Sequence, residues 1–373
     1  MDKKYIIDRS MLLPGDIVLT AEHAPISKIV RVATLSRYSH AAIWVDGTLI
    51  EATQDGVFSK NAQRLILEKP SHADVYRSRV PLTKNQAQQI CDYARSQVGT
   101  LYAIDEAMLV APMRIKKLGL KETKRQFCSR LVALAYQQSG YDLKNLRQPL
   151  FCTPRMLSVC TAFQRVPGIV REATSAEILF AETDDPTKKN QAHLFEWLNA
   201  VRELVKLDES LNQQFDIQAV NDVDELLLAH PELDEPITKL IQSNEYLTFY
   251  NHDTKNEKLA YRYNKFAMIN MVNSFEDPFN FLLDEFEKEP EMFRRFEIMT
   301  LSMIEKYEHT GLAYFREHVN LYKNLMTGVY VRLKHIAIGL DWINEHDAAE
   351  GVLETARMAA LVVKRAETAL STE

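Results

Sequence analysis

The chain has 373 residues, 46% of them hydrophobic and 26% charged, which is the profile of a globular protein long enough for two domains. A net charge of -6 with both signs interspersed gives no electrostatic case for a nucleic-acid partner. No stretch approaches the roughly 18 consecutive apolar residues of a membrane-spanning helix.

The N-terminus, MDKKYIIDRSMLLPGD, carries neither the apolar run nor the small-residue cleavage site of a secretory signal. The expected compartment is therefore the cytoplasm, or outside it by a route that needs no cleavable signal. Residues 14–20 read as a turn and a short strand, and residues 25–35 as a helix with Pro25 near its start. The most informative pattern follows, SHAAIWV-DG-TLIEATQDGVF. Asp46-Gly47 between two β-prone runs predicts a hairpin, because a type I′ turn needs positive φ at both central residues.

That turn fixes a register. With Asp46 and Gly47 as the loop, Val45 opposes Thr48, Ala42 opposes Glu51 and His40 opposes Thr53. Side chains alternate along a strand, so His40, Ala42, Glu51 and Thr53 share one side of the hairpin. His40 and Glu51 become diagonal neighbours, about 7–8 Å apart at the backbone and within reach of their side chains.

Residues 73–80 alternate like a strand, and residues 83–98 read as a capped helix stopped by Gly99. Residues 102–123 look irregular. They lead into QFCSRLVALAY, where Cys128, Leu131, Val132 and Ala135 carry the spacing of a buried helical face that ends at Gly140. A final strand is expected within residues 163–170, interrupted by Pro167-Gly168. The polar stretch 181–191, with Pro186, reads as a linker, giving domains 1–185 and 186–373. Beyond it, residues 192–211, 216–230, 235–249, 258–272, 291–307, 311–344 and 347–369 read as amphipathic helices of an irregular bundle. The phenylalanines between Phe266 and Phe296 are expected in its core. The fold class is thus α+β followed by all-α.

Four cysteines in so long a chain do not make a disulfide framework. None lies in a CxxC, and no histidine pair has metal-ligand spacing, so no metal site is expected. Cys91, Cys152 and Cys160 read as packing residues. Cys128 differs, because a cysteine in the first turn of a helix sits among unpaired N–H groups and the positive end of the dipole. Both favour the thiolate, which is the nucleophile. A thiol hydrolase needs a base beside the sulfur and an orienting group behind that base. His40 and Glu51 have the chemistry for those two places.

GDIVL, YSHAAIWV, LIEA, VGTLY and FCSRLVA together resemble the circularly permuted NlpC/P60 papain-like family. Within it they are most similar to the bacterial YiiX/YebB-like branch, related to the lecithin–retinol acyltransferases. The likeness covers roughly residues 12–170 in five blocks. It implies a permuted papain-like domain with Cys128 as nucleophile, His40 as general base and then acid, and Glu51 as the orienting residue. Tyr102 matches a tyrosine near the nucleophile and is given a substrate-binding or oxyanion role. Arg130 departs from the acidic residue usual after Cys-Ser, which bears on substrate preference.

The implied activity is a cysteine amidase or peptidase acting on a peptide, isopeptide or peptidoglycan stem-peptide bond, with no cofactor. Two alternatives remain: a thiol acyltransferase or lipase, and a partner-binding protein whose papain-like half acts as a sensor. The helical half is expected to supply specificity or to bind a protein partner.

Overall fold

A computed structural model describes residues 3–21, 37–103 and 124–371. The helix expected at 25–35, His23 and residues 104–123 lie outside them. The chain forms two compact units, Met1–Asp224 and Glu225–Glu373.

The first unit is built on a six-stranded antiparallel sheet of order β5-β4-β3-β2-β6-β7. Its strands are β2 (Ile17–Thr20), β3 (His40–Trp44), β4 (Leu49–Thr53), β5 (Gly56–Lys60), β6 (Ala73–Ser78) and β7 (Phe163–Val166). A two-stranded sheet pairs β1 (Tyr5–Ile7) with β8 (Val170–Glu172). Alternation gives the large sheet two buried faces. Ile17, Leu19, Ala41, Ile43 and Ile50 meet Leu131, Val132 and Tyr136 on one side. Val18, Ala42, Trp44 and Leu49 meet Ile7, Leu12 and Leu67 on the other. A sheet buried on both faces reads as near-continuous apolar runs, which is why β2 and β3 lack clean alternation in the sequence.

The hairpin forms with the expected register, Ala42 opposite Glu51 and Val45 N–H bonded to Thr48 O, but the ladder ends at the Ala42–Glu51 pair and the expected His40–Thr53 pair does not form. Asp46 and Gly47 have φ of 58° and 97°. The run after the turn, however, is two strands rather than one. The chain reverses again at Gln54-Asp55, and Thr53 pairs with Gly56. Gly56 sits at φ 120°, and a Cβ there would lie 2.7 Å from both the Phe195 ring and the Thr100 carbonyl oxygen. Only glycine fits that approach. Residues 163–170 likewise divide into β7 and β8, in different sheets, because Pro167-Gly168 turns the chain between them.

Helix α1 (Lys84–Ser96) is capped by Thr83, with Gln86 completing a reciprocal capping box. Helix α2 (Cys128–Gln138) is almost wholly buried. It is pinned at both ends, by Ser129 Oγ donating to Cys152 O (2.8 Å) and Tyr136 Oη donating to Gly15 O (2.7 Å). The short α3 (Pro154–Val159) and α4 (Ser175–Glu182) follow.

The stretch read as a linker is instead the start of α5 (Pro186–Leu207). Asp185 caps it and Pro186 occupies its first turn, where a missing N–H costs nothing. Phe195 of α5 stacks on Phe58 at 4.4 Å, and Gln191 bonds both backbone groups of Ser59. The compact unit therefore runs to Asp224, past the boundary at 185 that the composition suggested.

The second unit is helical, with long elements Glu289–Thr310, Ala313–Trp342 and His346–Ser371. Its core takes Val352, Ala356 and Ala359 from the last helix, and Met326, Val329 and Leu333 from the one before. A helix at Pro278–Phe286 falls where none was expected, and residues 235–249 are helical only over Asp234–Ile241 plus a 3-10 turn. Phe266 and Phe275, expected in the core, are 74% and 45% exposed. No helix among the described residues is long and apolar enough to cross a membrane.

Candidate active site

Cys128 is the first residue of α2. Phe127 before it is extended and provides no side-chain cap, so the first-turn N–H groups stay available. The sulfur arrives where β3 and β4 part. In an antiparallel ladder every second N–H points to the same neighbour, so Ala41 aims its N–H as Val45 does, toward β4. The register pairs end at Ala42 and Glu51, and the Ala41 N–H meets the Cys128 sulfur instead. The Ser129 N–H points there too.

His40 and Glu51 come from adjacent strands. His40 Nε2 lies 2.9 Å from Glu51 Oε2, with both side chains largely buried. An imidazole has two nitrogens, so with Nε2 held by the carboxylate, Nδ1 is left to interact with Cys128, whose thiol raises the ring's pKa. His40 is thus hydrogen-bonded to Glu51 and coupled electrostatically to Cys128.

Their electrostatics follow from that arrangement. Burial opposes charge on the histidine, but its interactions with Cys128 and Glu51 and their negative charge raise its pKa well above the ordinary value. Burial likewise pushes the Cys128 thiol up. His40, with the N–H groups of Ala41 and Ser129, outweighs it and leaves the thiol below its ordinary pKa. Glu51 is also penalised by burial, yet His40 and the ammonium of Lys60, 3.4 Å from Oε1, hold its pKa at about 2. Both shifts act in the direction of a thiolate–imidazolium pair backed by a carboxylate.

Tyr102 is held beside this group by a parallel bridge to Gln126: Gln126 N–H donates to Leu101 O (3.1 Å) and Ala103 N–H to Gln126 O (2.9 Å). Burial first, and then the negative charge of Cys128, raise the phenol's pKa, so it keeps its proton. Arg130 is buried on α2 with its guanidinium 5.8 Å from the Phe127 ring. Cys91, Cys152 and Cys160 are in no disulfide and are buried in the core, as expected of packing residues. Among the described residues no group of acidic, histidine or cysteine side chains is arranged to hold a metal.

Two parts of the site went unread in the sequence. Lys60 faces Glu51 only once β5 is a separate strand, and the Gln54-Asp55-Gly56 turn was the available signal. Tyr38, two residues before His40, donates from its hydroxyl to the buried Asp74. That contact needs the β3-β2-β6 order, which no local pattern carries.

Residues 11–150 match the family model of the permuted papain-like amidases, YaeF/YiiX, C92 family. No curated protein matches the chain. The match spans strands β2 to β6, with their hairpin, and the cysteine helix, which are the elements that carry Cys128, His40 and Glu51. Residues 11–150 of the N-terminal unit thus carry a permuted papain-like amidase domain of the YaeF/YiiX type, which is that of a cysteine hydrolase.

Proposed function

We propose that Cys128, His40 and Glu51 are the catalytic triad of this amidase, and that it cleaves a peptide, isopeptide or stem-peptide bond through a thioacyl intermediate. The Cys128 thiolate attacks the amide carbonyl. The His40 imidazolium gives its proton to the departing amine. Water then attacks the thioester as His40 takes its proton, and the released thiolate and imidazolium restore the starting state. Glu51 holds the imidazole in position and stabilises its charged form throughout.

The observation that carries this reading is the His40–Glu51 contact at 2.9 Å, with the same ring coupled electrostatically to Cys128. The tetrahedral oxyanion needs donors that are in place beforehand. Backbone N–H at the start of α2 and the protonated phenol of Tyr102 are the groups nearest to that task. No metal or organic cofactor enters the scheme. The helical second unit is assigned the recognition of a protein partner or of the larger substrate.

The test is trapping. A panel of peptide and isopeptide amides is incubated with the full chain, and the acid-quenched protein is analysed by mass spectrometry. A hydroxylamine-labile adduct on the peptide containing Cys128, absent in Cys128→Ala, is the expected result. Turnover that survives Cys128→Ala contradicts the assignment.

A further inference from the structure

A second polar group stands beside the site and has no part in the triad. Asp74 is 3% exposed, on β6, opposite Leu19. Two donors, the Tyr38 hydroxyl and Arg165 Nε, converge on its carboxylate, and Arg37 Nη1 forms an ion pair with it at 3.3 Å. The two arginine side chains are 50% and 60% exposed. Arg37 spends a second nitrogen on Ser71 O at 2.7 Å. Arg165 uses only Nε, and its Nη1 and Nη2 have no partner among the described residues.

The charge does not balance. One buried carboxylate is satisfied by the Tyr38 hydroxyl and one guanidinium, yet two guanidiniums are gathered on it, leaving a net positive rim. A planar fork anchored through Nε, with both terminal nitrogens unpartnered among the described residues, is the arrangement that takes a carboxylate in bidentate fashion.

Its position is set by the ladders. His40 pairs with Thr20, and Thr20 pairs with Ala73, the neighbour of Asp74. Asp74 therefore stands two strand spacings, about 10 Å, from His40. It lies on the sheet face that α2 covers, since Leu19 opposite it shares a core with Cys128. That span equals about three extended residues of a substrate.

We propose that Arg165, seconded by Arg37 and fixed by Asp74, binds a carboxylate of the substrate within about three residues of the scissile amide. The enzyme then selects amide substrates that carry a free carboxylate near the cleaved bond. This subsite rests on the triad reading above, and the experiment separates the two.

The probes are N-iodoacetylglycine and N-iodoacetylglycylglycine, their carboxamides, a phosphonate of matching length, and plain iodoacetamide, all read as alkylation rates at Cys128 of the full chain. At least one acid is expected to react about tenfold faster than its carboxamide. In Arg165→Gln that ratio falls to about one, Arg165→Lys restores part of it, and the iodoacetamide rate stays within about twofold. Equal rates for acids and carboxamides in the native protein overturn the subsite. So does an equal slowing of all probes in Arg165→Gln, and so does a phosphonate that outpaces the acids with the same dependence on Arg165. A Cys128 inert even to iodoacetamide overturns the triad reading itself, and the subsite with it.

Discussion

His40 and Glu51 meet at 2.9 Å across a hairpin whose turn residues, Asp46 and Gly47, both have positive φ. The contact is a product of strand parity. One residue more in the turn sends Glu51 to the opposite face, away from the imidazole.

Glu51→Gln keeps the shape of the side chain but removes the charge that supports the imidazolium. The thiolate–imidazolium pair weakens, so the thiol pKa rises toward its ordinary value. A fall in kcat/KM of about 10²–10⁴ is expected, with a smaller change in KM. Steady-state kinetics on any amide that the enzyme turns over checks this. An unchanged kcat removes Glu51 from the mechanism.

The same carboxylate makes stability depend on acid pH. Its pKa is about 2 in the folded protein against an ordinary 4.5. A depressed carboxylate pKa contributes stability that is complete above the unfolded value and lost as pH falls through the folded one. The difference in melting temperature between the native chain and Glu51→Gln should therefore shift in favour of Gln as pH drops from about 5 toward 2. A difference that is flat over that window contradicts the buried ion pair. Melting followed by circular dichroism is sufficient.

Two glycines separate backbone strain from crowding. Gly47 at φ 97° has nothing within 4 Å of an added Cβ, whereas at Gly56 a Cβ meets Phe195 and the Thr100 carbonyl at 2.7 Å. Gly47→Ala is expected to cost about 1–2 kcal/mol from the left-handed backbone alone. Gly56→Ala adds displacement of α5 from β5 and should cost more. Equal midpoints for the two variants in a urea titration contradict that packing.

What the sequence disclosed was local. Asp46-Gly47 carried the hairpin register because turn chemistry and alternation act within a dozen residues. Cys128 at the head of an apolar helix was readable for the same reason. Pro186 misled because a proline that ends one helix and a proline that begins another look alike until the capping Asp185 is seen to serve the helix after it. Asp74 and Arg165 stayed hidden because they meet across β6 and β7, whose strands lie some ninety residues apart in the chain. The two exposed phenylalanines, Phe266 and Phe275, show that composition alone does not say which aromatic side chains a bundle buries.

The most direct measurement is alkylation of the full chain by iodoacetamide across pH 5–9, mapped by peptide mass spectrometry, beside Cys128→Ala and His40→Ala. Burial raises the pKa of Cys152 and Cys160, while the contact with His40 lowers that of Cys128. One cysteine should react with a midpoint well below the free-thiol value of about 8.5, vanish in Cys128→Ala and slow in His40→Ala. A Cys128 that titrates like an ordinary thiol, indifferent to the loss of His40, contradicts the thiolate–imidazolium pair and the triad built on it.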